Sequence, residues 1–159
     1  MKQKTLSVWV KLVLAGAAAC LAAVLVWAAS KGENSLAANY EVFAEHSGAW
    51  GALLCVCAAV CLAGICVGWR IAGNIGRDRS FCMENARSLG AIAVLAAADG
   101  VIFLGGNALF LACGMSHPAL FLRSLLPVFL AGAVSVVAAA LSHLVRKAAV
   151  LQEQDDLTI

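Results

Sequence analysis

The feature that most limits what this chain can become is the lack of charge over long runs of its sequence. No charged residue falls between Lys11 and Lys31 (LVLAGAAACLAAVLVWAAS) or between Glu45 and Arg70 (HSGAWGALLCVCAAVCLAGICVGW). Between Arg87 and Arg123 the single charge is Asp99, and between Arg123 and Arg146 there is none. A helix needs about 20 mostly apolar residues to cross roughly 30 Å of hydrocarbon. The chain is 63% hydrophobic and 13% charged, with a mean hydropathy of +0.92, whereas soluble domains are roughly half apolar and a quarter charged. A soluble core built from 159 residues cannot bury that much apolar surface, so lipid must cover the remainder.

These runs predict a single all-α domain, an integral membrane bundle of four transmembrane helices, with spans at about residues 9–30, 47–69, 88–113 and 119–145. The long run after Arg87 divides at Ser116, His117 and Pro118, because proline suits the first turn of a helix, where no amide donor is needed. Pro127 predicts a bend in the fourth span. Direction follows from Lys and Arg in the short connections, which are retained on the cytoplasmic side. Lys2, Lys4 and Lys11 precede the first span, Arg70, Arg77, Arg79 and Arg87 separate the second from the third, and Arg146 with Lys147 follows the fourth; the other two connections hold only Lys31. Both termini, the loop 70–87 and the tail 146–159 are therefore expected in the cytoplasm. Trp9, Trp27, Trp50 and Trp69 all fall near span ends, where indoles favour the headgroup layer. A removable leader ending at Cys20 would leave LAAVLVWAA at a new N-terminus, an apolar run better explained as the second half of a span.

Charge and motif content exclude several classes. A formal net charge of +2 without a clustered basic face argues against direct nucleic-acid binding. No Ser/His/Asp set, paired carboxylates or phosphate loop is present, and His46, His117 and His143 lie near the predicted membrane edges without ligand spacing, so no enzymatic activity and no metal or other cofactor is expected. Four of the seven cysteines crowd into CVCAAVCLAGIC, Cys55 to Cys66. At about 100° per residue, Cys55 and Cys66 share one face while Cys57 and Cys61 lie nearly opposite, so the four cannot converge on one ion. The pair Cys57 and Cys61, at i and i+4, could bridge a soft ion such as copper(I), but the same span offers no histidine, methionine or acid to complete a site. The stretch reads as packing material, since cysteine behaves as a small polarizable hydrophobe. Gly64 and Gly68 form a G-x-x-x-G that permits close helix approach within a bundle or a homodimer.

Three polar residues inside the spans are the site candidates. Asp99 sits about 20 Å from the outer end of span three, where a carboxylate is costly and must be protonated, paired or hydrated. Arg123 lies only about 6 to 8 Å deep, so a direct ion pair with Asp99 would need distortion or a bridging water. Asn107 lies nearer the level of Arg123 and is its expected hydrogen-bond partner. Either a structural interhelix contact or a role in proton or ligand sensing or transport fits Asp99. In the loop, Ser80 is the expected N-cap of the next helix, with Glu84 favourably placed in its first turn. The tail RKAAVLQEQDDLTI passes from a basic membrane exit through a helical stretch to an acidic segment with an apolar end, residues Glu153, Asp155, Asp156, Leu157 and Ile159.

Two stretches carry a family resemblance. RDRSFCMENARSLGAI, with Arg77, Phe81, Glu84 and Asn85, is similar to a loop of the type Gly-x-x-Phe-Ser-x-Glu-Asn followed by a Leu-rich helix. AAVLQEQDDLTI is similar to a closing Leu-Gln-Glu-Glu-Asn-Asp-Leu-Thr. Both resemble a bacterial family of small four-span membrane proteins, domain of unknown function 2975. Cys82 stands where the family pattern has serine, and Asp155 where it has asparagine. The resemblance implies a protein of the bacterial cytoplasmic membrane whose gene commonly neighbours one for a small helix-turn-helix DNA-binding regulator. It thus implies a membrane partner that holds or modulates such a regulator, and the acidic-apolar segment Glu153 to Ile159 of the tail fits that role by charge steering and side-chain insertion; a small proton-linked transporter using Asp99 is the other expectation.

Overall fold

A computed structural model describes residues 3–27, 46–77 and 79–156, with the side chains of Gln3, Trp27, Asp155 and Asp156 excepted. Helix α1 spans Gln3–Trp27, α2 Ser47–Gly76, α3 Met83–Ala112 and α4 Pro118–Asp156. The fold is all-α, and the four helices are each long and apolar enough to cross a membrane. In hydrocarbon, a spanning helix keeps every backbone polar group bonded within itself, which an open strand cannot do. Hydropathy locates the edge of the lipid rather than the end of the helix, so the helices overrun the predicted spans. α2 continues seven residues past Trp69 to Gly76, and α3 begins at Met83, so much of the segment expected to be a loop at 70–87 is helical. Only residues 77–82 separate α2 from α3. At 1.5 Å per residue, the 39 residues of α4 are about 58 Å long, close to twice the hydrocarbon thickness. Pro127 lies inside this helix without ending it.

Each helix packs mainly on its neighbours in sequence, with α2 between α1 and α3, and α3 between α2 and α4. The interfaces are made of small residues. Ala86, Ala93 and Gly100 of α3 are buried. Ser135 Oγ of α4 donates to Ala93 O at 2.8 Å, and Ser142 Oγ donates to Ala86 O at 2.7 Å. A Cβ at Gly90 would come within 3.4 Å of Ser142 Oγ, and one at Gly100 within 3.4 Å of Ala131 Cβ. α1 and α2 repeat the device: Ser7 Oγ donates to Ala72 O at 2.6 Å, Ala72 is fully buried, and Gly68 and Gly76 receive Leu14 and Ser7. Gly68 is thus used against α1 of the same chain, whereas a Cβ at its G-x-x-x-G partner Gly64 would meet nothing within 4 Å. Large apolar side chains such as Phe129, Val101 and Val136 point outward. That distribution is the inverse of a soluble protein, because lipid solvates large apolar groups and close backbone approach holds the helices together.

The α3–α4 turn is closed by backbone geometry. Gly114 adopts φ 73°, a left-handed conformation that glycine takes without a Cβ penalty. Met115 N–H then reaches Phe110 O at 2.8 Å, and Gly114 N–H reaches Leu111 O at 3.2 Å, which satisfies two terminal carbonyls of α3. Pro118 opens α4 as expected, and His117 Nδ1 accepts from Ala119 N–H at 3.2 Å. Trp50 was expected among lipid headgroups. It is instead 7% exposed, its ring 5.1 Å from that of Phe110 and its Nε1–H donating to Met115 O at 3.3 Å. Its indole fastens α2 to the turn because a buried N–H needs an acceptor. Trp9 and Trp69 are exposed, with Lys11 Nζ 5.9 Å from the Trp69 ring centroid.

Candidate functional site

Asp99 falls near the middle of α3, about 20 Å from the Ala112 end and about 24 Å from the Met83 end. α2 runs antiparallel to α3, and Cys61 lies as far from the connection at 77–82 as Asp99 does. Cys61 Sγ donates to Asp99 Oδ2 at 3.3 Å. Cys57, one turn along the same face, is buried, while Cys55 and Cys66 are exposed. The reading of CVCAAVCLAGIC as packing material therefore fails for Cys61, whose thiol holds the only carboxylate within the four apolar runs of the sequence. The acid absent from span two is supplied by span three. Among the described residues, no three His, Cys, Asp or Glu side chains form a group that could hold a metal ion.

Asp99 and Cys57 also line a cleft of about 200 Å³, walled by Leu54 of α2, Phe103 and Gly100 of α3, and Pro127, Val128 and Ala131 of α4. Asp99 Oδ1 is buried and accepts no hydrogen bond from the described residues. An unpartnered buried oxygen is costly, and that of a carboxylate is more so. One oxygen of Asp99 is thus held by a weak thiol donor, and the other has no partner among the described residues.

The other intramembrane candidates do not join this site. Asn107 is fully buried but donates from Nδ2 to Phe103 O of its own helix at 2.8 Å, and its Oδ1 has no partner among the described residues. Arg123 is exposed on α4 and among the described residues makes no ion pair, so the expected Asn107–Arg123 hydrogen bond does not form. Arg123 is free to extend its guanidinium outward on its aliphatic stem, which removes the need for a partner.

The loop motif is a second cluster, and its parts divide differently than expected. α3 starts at Met83 with Cys82 as N-cap, whose side chain makes no capping bond; Ser80 is not the cap. Asn85 fixes the start instead. It is 2% exposed, donates from Nδ2 to Arg79 O and Ser80 O at 3.0 Å each, and accepts at Oδ1 from Asn74 Nδ2 of α2 at 2.8 Å. This three-way contact outweighs the local cap. Glu84, in the first turn of α3, pairs with Arg70 at 3.2 Å, both side chains being largely exposed. Arg77 caps α2 with its backbone N–H, and Phe81 is exposed. The sequence stretch carrying the resemblance is thus a lock on the α2–α3 connection, and the position at which the family pattern has serine is the N-cap. Asn74 has no signal in sequence, because its role appears only once α2 is known to extend past Arg70 to Gly76.

In the tail, Glu153 is exposed on α4. Asp155 and Asp156 lie in its last turn, their side chains outside the described set, and Leu157 and Ile159 lie outside the described residues.

No curated protein and no solved structure matches the chain. A family described as "Protein of unknown function (DUF2975)" matches it over residues 25–159. With four membrane-crossing helices and a match that takes in α2, α3 and α4 complete, this multi-pass membrane protein belongs to that family.

Proposed function

We propose that the protein is a non-enzymatic membrane anchor and sensor that binds or modulates a cytoplasmic partner, of the kind represented by a helix-turn-helix transcription regulator. The observation that carries this reading is the unbroken course of α4, which forms one wall of the Asp99 cleft at Pro127, Val128 and Ala131 and runs on to Asp156. A rigid helix with two discrete positions can carry a change in one place to another, and here the same rod reaches from mid-membrane to well beyond the lipid. Its far end bears Arg146 and Lys147, then Glu153, Asp155 and Asp156. Acidic charge steers a basic partner, and an apolar end such as Leu157 and Ile159 inserts into a groove. The family resemblance implies a bacterial cytoplasmic membrane, and the Lys and Arg distribution favours having this end, the N-terminus and the 77–82 connection on its cytoplasmic side. Affinity capture of the neighbouring regulator tests the reading. The full chain in membranes retains it, and a chain lacking residues 153–159 loses it; equal retention contradicts docking by the tail.

The second reading, a small proton-linked transporter or transporter subunit, draws on Asp99 itself, since an ionisable group at mid-membrane beside a cleft is what a proton relay needs. In vesicles, Asp99→Asn then abolishes pH-dependent uptake or efflux, and unchanged transport removes the idea.

A further inference from the structure

We infer that the cleft at Asp99 binds a small lipophilic cation, an ammonium group on a compact apolar body, that enters from the hydrocarbon between the helices. The inference rests on taking this cleft as the input of the proposed sensor, and it adds the chemical class of what is sensed. Charge sets the sign of the ligand. Asp99 is the one charged residue on the lining, and no Lys or Arg among the described residues pairs with it, so an anion is repelled. Oxygen count sets the kind of donor: Oδ2 already accepts from Cys61, while Oδ1 is buried without a partner among the described residues and needs one N–H to satisfy it.

Space and lining narrow the choice further. A proton alone would neutralise the carboxylate but does not require a cleft of about 200 Å³. A metal ion is disfavoured because no group of three ligating side chains exists among the described residues. A hydrated alkali ion would need oxygens that Leu54, Val128, Ala131 and Pro127 cannot offer. An apolar body suits those walls, and Phe103 adds an aromatic surface of the type that attracts cations. Leu54, Phe103, Val128 and Ala131 are only half-buried, so the cleft opens sideways, where lipid tails surround the protein. An ammonium paired with Asp99 is neutral as a unit, which lowers the cost of two charges in that setting, and each unpaired charge would be far costlier. Because three of the lining residues belong to α4, occupancy acts on the helix that leaves the membrane.

Calorimetry on the full chain in lipid nanodiscs tests this with 1-aminoadamantane as the cation and 1-adamantanol as its neutral counterpart of the same shape, empty nanodiscs giving the partitioning background. The amine is expected to bind at least about tenfold more tightly than the alcohol. Asp99→Asn, nearly identical in shape, removes that preference. Val128→Phe, which fills the cleft and leaves the carboxylate, weakens the amine by a similar factor. Equal binding of amine and alcohol, unchanged amine binding in Asp99→Asn, or no heat above background overturns the inference, and Asp99→Asn alone decides it if the larger side chain prevents insertion. A chain lacking residues 153–159 keeps amine binding, so loss of regulator capture with amine binding intact overturns only the docking reading, and the reverse outcome overturns only this one.

Discussion

Asn85 donates both of its amide hydrogens to backbone carbonyls of the α2–α3 connection and accepts one from Asn74. Its replacement by alanine leaves Arg79 O, Ser80 O and the Asn74 amide to find other partners, at a cost of about 1–3 kcal/mol. Thermal unfolding in micelles reads that loss, together with faster proteolysis between Arg77 and Cys82. Cys82→Ser should act in the opposite sense, because a hydroxyl at an N-cap accepts from the first-turn amides where the thiol makes no such bond. The expected gain is about 0.5–1 kcal/mol, and an unchanged unfolding midpoint would count against the capping account. At this scale the sequence was partly legible. Asp99 stood out because one charge in an apolar run is chemically conspicuous, whereas Cys61 did not, because a single helix carries no information about which face meets its neighbour. Counting residues outward from the connection at 77–82 along both antiparallel helices would have matched Cys61 with Asp99. The expected Asn107–Arg123 bond failed for a related reason: equal depth places two groups at one level without turning them toward each other.

Helix pairing in this protein depends on where glycine and alanine bring backbones together, so substitutions on one helix separate by face. Gly68→Leu and Gly76→Leu force new atoms against Leu14 and Ser7 and should destabilise the α1–α2 contact by about 1–3 kcal/mol through overpacking. Gly64→Leu, four residues from Gly68, meets open space and should be silent. Cross-linking between cysteines placed on α1 and α2 distinguishes the three; loss of the cross-link in Gly64→Leu would refute the assignment. Ser135→Ala and Ser142→Ala each remove one interhelix bond to α3 at about 0.6 kcal/mol. Element number and type were legible because charge-free length is decisive for a spanning helix. Element ends were not, because α2, α3 and α4 continue past the charge-free runs, where hydropathy falls but the backbone hydrogen bonds persist. The homogeneous small-residue composition of the spans also hid which glycines matter, since packing selects Gly68 and passes over Gly64.

Across the described residues, most large apolar side chains face outward and the buried positions are mainly small or polar, an arrangement suited to hydrocarbon. The four-span architecture follows from sequence, but the cleft does not, since it needs α2, α3 and α4 in their mutual register before Leu54, Phe103 and Val128 can be seen to surround one carboxylate. The central claim is that Asp99 is held at mid-membrane beside a lipid-facing cleft, and carbodiimides of opposite solubility test it most directly. In intact membranes, lipid-soluble dicyclohexylcarbodiimide should modify Asp99, while a water-soluble carbodiimide should spare it and modify the exposed Glu84, as read by mass spectrometry of the two peptides. Modification of Asp99 by the water-soluble reagent as readily as Glu84 would contradict the account.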